Sequence, residues 1–283
     1  AAERVSVGAP YFERVVGPVA AALVVLLAAG PSLPWGRWHE RDARRLIVSA
    51  GLALAIAGLV TLAMGRAELF LGLVLGGFAA VHSLGSAAGR AREVRARPRA
   101  ITRAGGRRSI GGLIAHGGIG VAVIAIVAAG GGRADASDTV TAGGAIVLGS
   151  ASVRFEGLRM ETRPDRTIVV ADAVLRDSTG ERRIAPSLST FPNAASTGAI
   201  PTPAISVSPF QDVYVTLLDA DPVTGTATFR VSTLPLMSWL WAGGGLLTVG
   251  GLVAAPWPER VRLRPIAGWR PRPAEVADDA RAG

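Results

Sequence analysis

Three histidines are the side chains in this chain best suited to hold a metal, and two of them, His82 and His116, lie inside long apolar stretches. An ionisable residue in such a stretch is a functional hypothesis by default, because placing it in lipid costs free energy. His116 sits in the run Gly112-Leu-Ile-Ala-His-Gly-Gly-Ile-Gly120. Residues four apart share a helix face, so Gly112 and Gly120 lie one turn below and one turn above the imidazole. The result is a bare groove with one ring standing in it. A flat macrocycle held through an axial imidazole needs such a face, since bulky neighbours would strike it. The same groove also suits close helix packing, with the histidine hydrogen-bonding across the interface. His82 is expected near the cytoplasmic end of its span, at a depth similar to His116. It could share a metal with His116, or bond to water or a backbone carbonyl. His39, beside Arg37 and Arg41, reads as solvated.

No other chemistry assembles by recognisable spacing. There is no Ser/His/Asp set and no carboxylate dyad, and Gly105-Gly106 and Gly130–Gly132 lack the lysine of a phosphate-binding loop. The chain has no cysteine, which excludes a thiolate nucleophile, a cysteine-ligated zinc and an iron–sulfur cluster within it.

The elements that must position the histidines are membrane helices. Hydrophobic residues make up 49% of the chain and charged residues 18%, below the quarter or so that is usual for soluble domains. Mean hydropathy is +0.39. The apolar residues fall into blocks at 15–34, 46–64, 69–88, 110–129 and 234–255, each of spanning length. Only Gly65-Arg66-Ala67-Glu68 separates the second block from the third, which predicts a helical hairpin. The fold class predicted is a polytopic α-helical membrane protein of about five transmembrane helices with an inserted antiparallel β-rich domain.

A net charge of +9 would suggest nucleic acid on a soluble protein, but here the arginines bracket the apolar blocks. Of 30 basic residues, 18 lie in three segments: after the first block, after the third and in the tail 256–283. Five spans put all three on one side, and that side is cytoplasmic. The N-terminus and residues 131–233 then face outward, the C-terminus inward. Trp35, Trp38, Trp239, Trp241 and Trp257 stand at the predicted interfaces, where an apolar ring with one N–H belongs.

Within 131–233, the stretch 167–176 alternates as a half-buried strand and meets the turn Asp177-Ser-Thr-Gly180. Stretches 213–218 and 226–231 flank a second turn at 219–225. Residues 185–210 carry five prolines among serines and threonines, which predicts a long irregular loop. The opening Ala1-Ala2-Glu3 is not a signal peptide, and the chain reads as a processed, split or truncated product.

Four stretches resemble one family in order and spacing. Val5-Ser-Val-Gly-Ala-Pro-Tyr-Phe12 with Gly17-Pro18, Ile114-Ala-His-Gly-Gly-Ile-Gly-Val121, Asp212-Val-Tyr-Val-Thr-Leu217 and Pro235-Leu-Met-Ser-Trp-Leu-Trp-Ala-Gly-Gly244 are similar to segments of the CcmF family of cytochrome c haem lyases. The resemblance implies a lyase of the bacterial inner membrane that joins haem vinyl groups to apocytochrome c cysteines. It implies that His116 ligates the iron of a membrane haem b, which agrees with the groove between Gly112 and Gly120 as the haem-facing side. It also implies partners: a haem chaperone, apocytochrome c and its thiol-handling proteins, alongside membrane lipid. Two features depart from the family. Its tryptophan-rich segment with flanking periplasmic histidines is missing, and its other membrane haem ligand lies upstream. His116 therefore needs a partner ligand outside this chain, from the upstream portion of the lyase or a split subunit. Glu13 stands where the family usually has Asn. The chain thus resembles the C-terminal portion of a lyase, which by itself lacks the haem-handling segment. The alternative is a non-haem membrane scaffold or transporter subunit with an outward sensing domain. Transporter sites carry broken helices or mid-membrane polar residues, and spans two and five have almost none.

Overall fold

A computed structural model of the protein describes residues 9–30, 40–96, 104–192 and 198–255. His39, Trp35, Trp38, Trp257 and the tail 256–283 lie outside the described residues. Among the described residues, five α-helices and ten β-strands form a helical bundle and a β-rich unit joined at one end of it.

The bundle consists of α1 (Ala9–Ala29), α2 (Glu40–Met64), α3 (Phe70–Ala96), α4 (Ala104–Gly131) and α5 (Trp239–Ala254). Three stretches, Ala43–Met64, Ala67–Ala96 and Gly106–Gly131, are long and apolar enough to cross a bilayer. Two shorter apolar helices, Arg14–Leu27 and Trp239–Ala254, accompany them. The 16 residues of α5 span about 24 Å, short of a hydrocarbon core of about 30 Å. Its start lies at Trp239 and not at Leu234, because the strand before it runs on to Pro235. Ile47, Leu59, Leu62 and Leu71 point outward from the bundle, an apolar exterior suited to lipid.

The α2–α3 hairpin closes as predicted, through Gly65 at φ +64° and a 3₁₀ turn at Ala67–Leu69. That left-handed residue ends α2 where a side chain would be strained. Arg66 donates to the Gly131 carbonyl at 2.9 Å, tying the turn to the end of α4. Gly105, Gly106, Gly130 and Gly131 belong to α4 itself.

Small residues hold the bundle together, as expected where lipid gives no hydrophobic drive for helix association. Antiparallel α4 and α5 touch backbone to backbone: a Cβ at Gly118 would lie 2.6 Å from the Gly243 carbonyl oxygen.

The ten strands among the described residues pair antiparallel in two sheets. One has the order β1 (Ala134–Thr141), β10 (Thr226–Pro235), β9 (Gln211–Asp221), β8 (Ala204–Ser206). The other runs β2 (Ala145–Leu148), β3 (Ala151–Thr162), β4 (Thr167–Asp177), β6 (Ser187–Thr190), β7 (Ile200–Thr202), with β5 (Gly180–Ile184) beside β4. Their inner faces share one core in which Phe155 meets Phe229 edge-on, ring centroids 5.5 Å apart. Val231 is buried there, whereas Tyr214 is half-buried. The proline-rich stretch is a correction: residues 185–210 hold β6, β7 and β8 and are not one irregular loop. These strands are three or four residues long, so the prolines fall at their ends or on a paired edge where a missing N–H is tolerated.

Candidate functional site

The glycine spacing of α4 decides which neighbour each of its faces meets. Gly117, Gly120 and Ile124 face α3, and Gly111, Ala115 and Gly118 face α5. Gly112, His116 and Ile119 form the remaining face, each half-buried. His116 lies within about 4 Å of the midpoint of the Gly106–Gly131 stretch along the axis, so the imidazole sits deep in the apolar zone.

The two glycines flanking His116 do different work. A Cβ at Gly112 would meet nothing within 4 Å, so that side of the imidazole is open. A Cβ at Gly120 would lie 2.3 Å from the Ala80 backbone nitrogen and 2.8 Å from the Gly76 oxygen. Helix α3 therefore occupies the upper part of the groove drawn from sequence, and the open part lies toward Gly112.

The His116 imidazole carries an unusual feature. Its Nδ1 is buried and has no hydrogen-bond partner. Buried polar atoms are nearly always satisfied, and an orphan calls for a missing partner, ion or cofactor. The across-interface hydrogen bond allowed by sequence is not made among the described residues. An imidazole on a half-open apolar face, with a glycine beside it, fits one axial ligand of a macrocyclic iron complex. No second histidine faces it among the described residues, and no cluster of three or more metal-ligating side chains occurs among them.

His82 points elsewhere. It is 3% exposed, its Nδ1 lies 3.3 Å from the Ser49 hydroxyl of α2, and its ring stacks on Phe78. The two histidines thus occupy neighbouring helices without being brought together. His82 lines a cavity of about 560 Å³ together with Arg44, Arg45, Ser49, Ser86 and Arg92. Sequence reading missed this cavity. Its signal is the spacing His82, Gly85, Gly89 and Arg92, which shares one helix face and points at the arginines opening α2.

Asp212 was also missed as a structural centre. It is buried at the start of β9 and accepts from the Ser208 N–H at 3.0 Å and the Ser238 hydroxyl at 3.3 Å. Trp239 donates its indole N–H to the Pro209 carbonyl at 2.7 Å. Two of the stretches that carried the family resemblance, around Asp212 and around Ser238-Trp239, therefore lock together and set where α5 leaves the β-rich unit. Leu236 makes that exit at φ 55°, a left-handed turn held by its N–H bond to the Phe210 carbonyl.

No protein-family model matches the chain. Among curated relatives it is 27% identical over 92% of its length to the cytochrome c-type biogenesis protein CycK of Bradyrhizobium diazoefficiens. It is 29% identical over 99% of its length to the cytochrome c-type biogenesis protein ccl1 of Rhodobacter capsulatus. In both cases it spans 42% of the relative's own length. A solved structure titled cytochrome c haem lyase CcmF superposes on 89% of the chain with a TM-score of 0.69, at 24% identity, and the match covers 41% of that structure. The chain is thus similar to CcmF-type cytochrome c biogenesis proteins over nearly its whole length, as its motifs implied, and shares a membrane-protein fold with one of them.

Proposed function

We propose that this chain is the C-terminal part of a CcmF-type haem lyase, acting in the covalent attachment of haem to apocytochrome c, and that His116 is an axial ligand of a haem b inside the membrane. The observation that carries the ligand assignment is the unpartnered Nδ1 of His116, a half-buried residue on the face of α4 that turns away from both α3 and α5. Haem bound there supplies a one-electron iron couple within the membrane. Histidine suits the depth because a neutral imidazole binds iron without bringing charge into lipid. Gly112 keeps that face open, and Gly120 seats α4 against α3 so that the imidazole is held at a fixed angle to the bundle.

The similarity to proteins more than twice as long supports a division of labour. The second axial ligand and the haem-handling tryptophans belong to the upstream portion of the lyase, or to a split subunit, which packs on the Gly112–His116–Ile119 face. In this reading the five helices all cross the inner membrane, the N-terminus and the β-rich unit face the periplasm, and the C-terminus faces the cytoplasm. The β-rich unit then stands on the side where a haem chaperone, apocytochrome c and its thiol-handling proteins meet.

Complementation tests the reading. In a bacterium whose own lyase gene is deleted, this chain expressed with the upstream portion should restore c-type cytochromes, seen by haem staining after denaturing electrophoresis. The chain alone should not. Failure of the two portions together, with both inserted and stable, would overturn the proposal.

A further inference from the structure

We propose that the seam between α2 and α3 binds an anionic phospholipid of the cytoplasmic leaflet, with its phosphate held by Arg44, Arg45 and Arg92. The site rests on α2 and α3 crossing the membrane with their arginine ends inward; it is independent of haem ligation by His116.

The three guanidinium groups line one cavity of about 560 Å³. None of them pairs with a carboxylate among the described residues. Like charges around a shared cavity repel one another, and an anion seated between them offsets that cost. Guanidinium groups match phosphate oxygens through paired N–H donors, better than a point charge does. The Ser49 and Ser86 hydroxyls add neutral donors below the arginines.

Shape favours a lipid headgroup over a free ion. Arg92 and His82 stand ten residues apart on α3, so the cavity runs about 15 Å along the helix, from headgroup level into the apolar zone. Gly85 and Gly89 leave its α3 wall without side chains: a Cβ at Gly85 would meet nothing within 4 Å, and one at Gly89 would meet only the Arg45 guanidinium, at 3.9 Å. Ile47 and Val48 of α2 are exposed beside the mouth and offer an apolar strip for an acyl chain. Basic pockets between transmembrane helices on the cytoplasmic side are a recognised way of holding anionic headgroups.

Native mass spectrometry of the full chain in detergent, titrated with phosphatidylglycerol or phosphatidylcholine, tests this directly. Phosphatidylglycerol should bind in preference to phosphatidylcholine. The pair Arg45→Gln/Arg92→Gln should weaken it about thirtyfold, at roughly 1 kcal/mol for each arginine near the surface. Gly85→Leu keeps every charge but fills the seam, and should weaken binding at least as strongly. The control pair Arg95→Gln/Arg108→Gln should leave it unchanged. Equal binding of the two lipids, or wild-type binding by Gly85→Leu, would overturn the site in favour of diffuse charge. Displacement of phosphatidylglycerol by an equal concentration of inorganic phosphate would overturn it in favour of a free anion.

Discussion

Replacing Gly120 by Ala probes the contact that orients the His116 helix, and Gly112→Ala is its internal control. Both glycines are helical, so both substitutions gain the same intrinsic helix propensity, about 1 kcal/mol. They differ in what the new methyl meets. At Gly120 it would sit 2.3 Å from the Ala80 nitrogen and 2.9 Å from the Ala79 carbonyl carbon, backbone atoms that cannot turn aside. Restoring ordinary van der Waals contact requires α3 and α4 to separate by about 1 Å. Overpacking of this kind costs about 1–3 kcal/mol. At Gly112 the methyl meets nothing within 4 Å. The difference between the two variants isolates the overpacking cost, so Gly120→Ala should be about 1–3 kcal/mol less stable than Gly112→Ala. Steric trapping with paired labels on α3 and α4, in detergent micelles, reads that difference as a shift in trapping affinity. Equal stability of the two variants would show that α3 does not rest on Gly120, and the assignment of faces on α4 would fall with it.

Two other predictions concern the β-rich unit and the topology. The Asp177 side chain is 4% exposed; burial pushes its carboxyl up, but hydrogen bonds from Ser206 and Thr179 and the Arg182 guanidinium outweigh this and bring it down to about 2. Because its folded value lies below the ordinary 3.8, the stabilisation, on the order of 2 kcal/mol, is present above pH 4 and lost as pH falls through 2. Hydrogen-exchange protection of the β4–β5 hairpin in the full chain should therefore fall between pH 4 and pH 2, and Asp177→Asn should be less protected at pH 5 and nearly flat over that range; an Asn variant matching wild type at pH 5 contradicts this. The chain has no cysteine, so single cysteines report topology cleanly. Val223→Cys, at the tip of the β9–β10 hairpin and 94% exposed, should react with an impermeant maleimide in intact spheroplasts, while Arg95→Cys should react only after lysis; the reverse pattern refutes the orientation.

What the sequence made legible follows the range of each signal. Apolar blocks and the Gly65 turn are local, and so α2, α3 and their hairpin were readable from residues 46–88. The β4 strand and the β9–β10 hairpin were readable because alternation and turn residues are local too. The short strands β6, β7 and β8 were hidden by the prolines within and between them, although the strands they pair with, β4 and β9, were themselves readable. At the candidate site, the periodicity of Gly112, His116 and Gly120 places the two glycines one turn either side of the imidazole. It could not say which glycine a neighbouring helix would take, because that depends on the crossing of α3 at Ala80. The arginine-lined cavity needed two helices in register, which no single-helix pattern contains.

The central claim is that His116 ligates a membrane haem, and the reduced absorption spectrum of the assembled lyase tests it most directly. The chain would be purified with its upstream portion as wild type, His116→Ala and His82→Ala, and haem b quantified per polypeptide. The account predicts that His116→Ala inserts normally but loses the haem b signal, because its helix remains apolar and of spanning length. It predicts a wild-type spectrum for His82→Ala, whose imidazole is turned toward Ser49. Full haem occupancy in His116→Ala would contradict the account, and loss confined to His82→Ala would move the ligand to the other histidine.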